Sequence, residues 1–368
     1  MRLSCDSRIF LHIFLPQWQN NGTFRIEVKL MSTKKIGRQT AALSSPPSFL
    51  GFANVAGAKE GEGPLAATFD LLSQDDTFGE SSWEKAECAM QKQALTLALE
   101  KAGLTSGQLD WLFAGDLLNQ CISSSFAARA QQVPFFGLYG ACSTMGESLA
   151  LAAMTLDGGF GTYAGAVVSS HFCSAERQYR NPLEYGNQRT PTAQRTVTGS
   201  GAAILGTEGL GPYITHVTVG KIVDKGITDT NNMGAAMAPA AYDTISTHFQ
   251  DTGRTPDFYD LVVTGDLGQL GSQLLYDLFQ RDGIDLAPVH TDCGLLIFDL
   301  ERQDVHCGGS GCGCCASVLN GYLLNGMRAG RWKQILFCPT GALHSPTTAF
   351  QGESIPGICH AIAISSTK

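Results

Sequence analysis

The sequence predicts a layered α/β fold assembled from two similar halves. Three observations point there: a motif that recurs at a fixed offset, two helices that are apolar on nearly every side, and 42 glycines in a chain that is 43% apolar. Glycine at that density, without a G-X-Y period, marks tight strand-to-helix turns and close backbone approach rather than collagen. Charged residues make up only 16%, too few for disorder or a coiled coil. With 25 basic and 33 acidic residues the net charge is −8, which implies no broad nucleic-acid-binding face.

Residues 1–30 read differently from the rest. The apolar run IFLHIFL is interrupted by His12 and stopped by Pro16, too short to span a bilayer and without an A-x-A-like cleavage site after it. Met31 is followed by STKKIGRQT, which resembles an ordinary cytosolic start. Residues 1–32 are therefore expected to be an extension, disordered or a mis-assigned start. The two halves are expected at 33–210 and 211–368. No later segment has 18 uninterrupted apolar residues, so no membrane-spanning segment is expected.

The first strong helix carries Trp83, Ala86, Met90, Ala94 and Leu97 on one face. It leads into KAGLTSGQLDWLFAGDL (101–117), which matches DTGRTPDFYDLVVTGDL (251–267) without a gap. Gly103 matches Gly253, Asp110 matches Asp260 and Asp116 matches Asp266, all at an offset of 150. Each copy reads as a helix end, a glycine turn, a short apolar strand and a GDL turn, with Asp116 and Asp266 expected to hold their turns through backbone N–H groups. A second correspondence pairs the stretch from Gly140 with the stretch from Ser310: a small-residue turn bearing Cys142 or Cys312, an almost wholly apolar helix, then an apolar strand. Helices apolar on nearly every side must be buried between layers, and one per half predicts sheets on both sides of a helical middle layer.

Twelve cysteines invite a zinc or disulfide reading. The two C-x-x-C pairs of a zinc ribbon are absent, since Cys312 and Cys315 at that spacing have no second pair, and the dense stretch CGGSGCGCC (307–315) reads as small core residues. No metal and no cofactor are expected, and the setting is a reducing one. Among candidate site residues, Cys142 stands directly ahead of a helix, where unpaired N–H groups favour a thiolate. His290, His171 and His344 lie near strand ends, and Asn119 and Gln120 follow the first GDL turn. The stretch 171–195 is the most polar insertion, with Arg177, Arg180, Arg189 and Arg195 against Glu176 and Glu184. It is either a solvated loop or a lid presenting guanidinium forks to carboxylates.

Long ordered motifs carry a resemblance across residues 33–364: AGDLLNQ (114–120), FGLYGACSTMGES (136–148), SSHFCSAERQYRNPLEYG (169–186), TVTGSGA (196–202), GITDTNNMGAAMAPAA (226–241), HTDCGLLI (290–297) and GGSGCGC (308–314). The chain resembles the thiolase superfamily, and within it the stage V sporulation protein AD family of spore formers, its dipicolinate-binding branch. The resemblance implies a five-layer αβαβα fold of two pseudo-symmetric halves, with Cys142 at the nucleophile's position and His290 at that of a catalytic histidine. The position of the remaining partner, an Asn or a GHP histidine, falls in GGSGCGC and offers only glycine, Ser310 and Cys312. The resemblance therefore implies a non-catalytic protein that binds pyridine-2,6-dicarboxylate, free or as its calcium chelate, for uptake into the developing spore. Ligand contacts are then expected from Cys142, His290, His171, Asn119, Ser310, Cys312, Arg177, Arg180 and Arg195. An acyltransferase using Cys142 on a coenzyme A or carrier-protein thioester is the alternative. Peripheral attachment at the inner spore membrane, membrane proteins of the same operon as partners and a homodimer are implied in the same way.

Overall fold

The computed structural model describes residues 34–179 and 189–368. The extension expected over residues 1–32, with Arg180 and Glu184 of the polar insertion, lies outside the described residues.

In the first half the principal elements are β1 (Ser48–Ala56), α1 (Trp83–Ala102), β2 (Trp111–Gly115), α2 (Ile122–Gln131), β3 (Phe135–Gly137), α3 (Thr144–Asp157), β4 (Tyr163–Ser170), α4 (Phe172–Tyr179) and β5 (Gly199–Gly206). The second half repeats the plan with β6 (Tyr213–Thr218), α5 (Met233–Thr252), β7 (Leu261–Thr264), α6 (Gly268–Arg281), β8 (His290–Asp292), α7 (Cys312–Val318), β9 (Gln334–Cys338) and β10 (Ala361–Ser365). Read outward from the middle, the strand order is β1-β5-β4-β2-β3 on one side and β6-β10-β9-β7-β8 on the other. These are the same order in chain terms. The senses repeat too: β2 runs parallel to β3 and β4, and β7 to β8 and β9, while the inner pairs are antiparallel. Ser48 paired with Tyr213 joins the halves.

Among the described residues, three hydrophobic cores separate five layers. Met90, Ala94, Leu95 and Ala98 of α1 pack on the outer face of the first sheet half with Leu112, Val167 and Ile204. Met237, Ile245 and Phe249 of α5 and Leu275 and Phe279 of α6 do the same for the second with Val262 and Leu336. Between the halves lie α3 and α7, with Met145, Leu149, Cys315 and Val318 in one core that includes Ala166, Val168, Val263 and Phe337 from both. The expected apolar face of α1 is shifted by one residue: Ala98 is buried at its end, whereas Leu97 is only half-buried.

The repeated sequence is repeated geometry. Gly103 and Gly253 end α1 and α5 in the left-handed conformation, at φ of 68° and 66°, which glycine reaches without steric cost. Asp110 accepts the backbone N–H groups of Thr162 and Tyr163 at 2.6 and 3.0 Å, pinning the start of β4. Asp260 accepts those of Lys333 and Gln334 at 2.6 and 2.8 Å, pinning the start of β9.

Candidate functional site

The two small-residue turns ahead of the middle helices meet each other. The first is tight: Ala141 adopts a φ of 49°, the Ser143 hydroxyl donates to the Gly140 carbonyl at 2.7 Å, and the Thr144 hydroxyl donates to that of Ala141 at 2.6 Å. The second half presses on it so closely that a Cβ at Gly341 would fall 2.3 Å from the Gly140 oxygen. This brings the Cys142 sulfur to 3.8 Å from the Ser310 hydroxyl.

Behind both stands Asp266, 0% exposed. Its Oδ2 accepts the Ser310 hydroxyl at 2.9 Å and the Gly311 N–H at 3.3 Å, and its Oδ1 accepts the Thr340 hydroxyl at 2.8 Å. With the Ser310 hydrogen on Asp266, the Cys142 thiol donates to the Ser310 oxygen. Burial raises the Asp266 carboxyl above its usual range, against the pull of these donors. Burial first and the Asp266 charge second push the Cys142 thiol well above its ordinary value. The expected thiolate is therefore corrected: the helix N-terminus is outweighed by desolvation and a neighbouring carboxylate, and Cys142 is a neutral thiol.

A cavity of about 810 Å³, counting its open mouth, begins at this pair. Cys142, Ser310, Gln194, Thr196, His344 and, from α4, Glu176 and Tyr179 are among the residues that line it. The Tyr179 hydroxyl donates to the Leu117 carbonyl at 2.6 Å, and its ring lies 5.5 Å from the His344 ring. Gln194 Nε2 donates to the backbone carbonyls of Asp266 at 2.5 Å and Gly309 at 3.2 Å, which ties the 189–196 segment to the floor. No lysine or arginine lines the cavity among the described residues.

The expected site residues divide accordingly. Cys142 and Ser310 line the cavity, whereas Cys312 lies one turn behind, its thiol donating to the Ser169 carbonyl at 3.0 Å. The expectation for His290 is corrected, because the group facing the thiol is Asp266. His290 instead sits in the chain Tyr276 → His290 → Thr264 → Asp292, with 2.9, 2.9 and 2.7 Å between partners, and burial lowers it to about 4. His171 accepts the Cys173 N–H at 3.1 Å and reaches the Asp76 carbonyl at 2.7 Å, a cap at the start of α4. Of the three candidate histidines, His344 is the one on the cavity wall.

Asn119 is exposed, with its backbone N–H donating to Gln178. Arg177 pairs with Glu84 and lies over the Trp83 ring, and Arg189 pairs with Asp304. The Arg195 guanidinium stacks 3.8 Å over Phe172 and faces the buried Glu60. For these described arginines the lid is corrected to a structural strap, because each guanidinium is spent on a neighbouring carboxylate or ring away from the cavity. Arg180 lies outside the described residues.

Sequence reasoning missed Asp266 as a site residue although its signal, the GDL repeat, was visible. Asp116 holds its own turn as expected, accepting the Leu118 and Ser124 N–H groups at 2.9 and 2.8 Å. In the second half Asp292 takes over that duty, accepting the Leu267 and Gly268 N–H groups at 2.9 and 3.1 Å. Asp266 is thereby released toward Cys142.

Comparison with known proteins agrees with this geometry. Stage V sporulation protein AD of Bacillus subtilis (strain 168) is 44% identical over 329 residues, 89% of this chain and 97% of that relative. Among solved structures, 3-oxoacyl-[acyl-carrier-protein] synthase III from Aquifex aeolicus VF5 is similar with a TM-score of 0.54 at 12% identity, over 87% of this chain and 99% of its own. Cerulenin-bound OleA from Xanthomonas campestris reaches 0.58 at 15% identity, over 91% and 100%. Likenesses at such identities establish the thiolase-like fold and nothing of the chemistry. The family described as stage V sporulation protein AD matches residues 37–365, the two halves and the turns that meet at Cys142 included, and the chain belongs to that family of sporulation proteins.

Proposed function

We propose that this chain binds pyridine-2,6-dicarboxylate, free or as its calcium chelate, for uptake into the developing spore, and does no chemistry on it. The observation that carries the reading is what surrounds Cys142: the thiol is buried, 3.8 Å from a Ser310 hydroxyl that is hydrogen-bonded to the Asp266 carboxyl, and among the described residues no histidine bonds to it. Acyl transfer needs a thiolate and a base positioned to generate it. Here the neighbouring carboxylate opposes thiolate formation, and His290 is engaged with Tyr276 and Thr264. What remains is a cavity whose polar lining includes hydroxyl, amide and thiol groups. A planar ligand with a carboxylate on each side of a ring nitrogen suits donors that converge from two sides.

The same reading includes a homodimer that attaches peripherally at the inner spore membrane through membrane proteins of the same operon. Among the described residues no helix is long and apolar enough to cross a membrane, so such attachment would rest on partners. Calorimetric titration with dipicolinate, with acetyl-coenzyme A as a parallel ligand, tests the central claim. Saturable heat from dipicolinate alone is expected. Tight acetyl-coenzyme A binding without dipicolinate heat would replace this reading with acyl transfer.

A further inference from the structure

We propose that the site takes up one proton with each carboxylate ligand it binds, and that Asp266 is the group that holds it. The inference rests on the dipicolinate reading and adds what regulates the same site. Its basis is where the donors point. Ser310 and Cys142 border the cavity, yet the Ser310 hydroxyl directs its hydrogen away from it, onto Asp266, and the Cys142 thiol 3.8 Å away is left to donate to the Ser310 oxygen. Thr340 and the Gly311 N–H also donate to Asp266, so the N-terminus of α7 already faces a built-in carboxylate. A carboxylate arriving at this wall meets oxygen and sulfur lone pairs, with a buried negative charge behind them.

His344 on the same wall is lowered by burial below its ordinary 6.5, so at pH 7–8 it is uncharged and does not offset that charge. The lining includes the acidic Glu176 and no lysine or arginine among the described residues. Asp266 itself is faced by Cys142, by Cys314 and Cys315 of α7, and by Asp292 and Cys293 from β8 and the turn after it. None of these is cationic, and burial keeps the thiols neutral. Two anions close together in a poorly solvated pocket repel strongly, and a proton on one of them removes the repulsion.

Protonation also reverses the donors. Once a buffer acid gives its proton to an Asp266 oxygen, that oxygen no longer needs the Ser310 hydroxyl. The hydroxyl can rotate about a single bond and donate into the cavity, at the ligand's carboxylate, and the Cys142 thiol beside it is free to do the same. No covalent bond to the ligand forms or breaks; one proton moves from solvent to Asp266 on binding and returns on release. Because protons are taken up, affinity falls as pH rises, by about tenfold per unit wherever free Asp266 is ionised.

Titrate the full chain with dipicolinate in calcium-free buffers of different ionisation enthalpy, phosphate and Tris, at pH 7 and pH 8. The ligand's own carboxyls, with ordinary pKa values of about 4, do not titrate in that window. A buffer dependence equal to about one proton per site and a Kd about tenfold weaker at pH 8 are expected. Asp266→Asn should bind with no buffer dependence and equal affinity at both pH values. Wild-type binding with no proton uptake and no pH dependence overturns the proposal and leaves the ligand assignment standing. No dipicolinate heat in any buffer overturns both. The wild-type buffer series decides the matter even if the variant does not fold.

Discussion

At Cys142 the same helix-start position could have produced a reactive thiolate, and the neighbours decide against it. Burial and Asp266 raise the thiol, so brief iodoacetamide labelling at pH 7 should leave it largely unmodified. The half-exposed Cys88 and Cys173 should react first, although burial raises their thiols too. Peptide mass mapping checks this order, and Cys142 as the fastest adduct would refute the donor role. Ligand affinity should follow the cavity wall rather than the arginines. Ser310→Ala removes a hydroxyl that can donate to a carboxylate, a charge-assisted bond of about 1.5–3 kcal/mol, and should weaken dipicolinate binding roughly ten- to a hundredfold. Arg177→Ala and Arg195→Ala, whose guanidinium groups face Glu84 and Phe172, should leave affinity within about threefold in variants that melt like wild type. The thiol was legible from its place directly ahead of a helix, and the Ser310 hydroxyl only through the family resemblance, which puts the missing catalytic partner's position in GGSGCGC. The carboxylate was not, because Asp116 and Asp266 share the same GDL turn, and the relief of one of them by Asp292 is a long-range contact.

The elements were more legible than the site because their determinants are local. A glycine at a left-handed helix end, a threonine before a short turn and an aspartate at a strand edge each act within a few residues, so two copies at one offset fold alike. The Asp110 and Asp260 carboxylates show how far the equivalence extends, since each accepts two N–H groups of the strand that follows its repeat's buried helix. Asp110→Ala and Asp260→Ala should each cost about 1 kcal/mol, the low end for such groups because water can replace the carboxylate at an exposed position. Chemical denaturation should give similar losses for the two. A loss confined to one of them would mean that the halves do not share this device. The polar insertion 171–195 was the least legible element, because an arginine's partner is set by long-range packing. Glu84 on α1 and Asp304 after β8 are far from Arg177 and Arg189 in sequence.

Across the whole molecule, five layers bury ionisable groups of both kinds, and their opposite linkages shape stability against pH. His248 and His360 are buried and neutral, lowered by burial to about 3 and about 4 from an ordinary 6.5, and His290 likewise to about 4. For such groups the unfolded chain binds more protons below 6.5, so their contribution is complete above that pH and is lost as pH falls toward 4. Glu60, Glu87 and Asp292 behave in reverse: burial raises them to about 7, about 8 and about 7, from ordinary values of 4.5, 4.5 and 3.8. Here the folded chain binds more protons, so their contribution is complete below about 4 and is lost as pH rises toward 7–8. His171, His216 and His344 are lowered too, and Asp116, Glu147 and Asp266 are raised, so between roughly 4.5 and 6.5 six groups of each kind oppose one another and the slopes largely cancel. Below that window the raised acids are protonated in both states, and the histidines act together with the lowered carboxyls of Asp75, Glu84, Asp224 and Asp251, so stability falls toward acid. Above 6.5 the histidines are neutral in both states and only the carboxyls act, so stability falls toward pH 8. Thermal melts from pH 4 to 8.5 should therefore give a plateau in mildly acidic solution with a lower Tm on both sides. A Tm that climbs steadily from pH 5 to 8.5 would show that the buried carboxylates are ionised at no cost and that water reaches the layers this fold encloses.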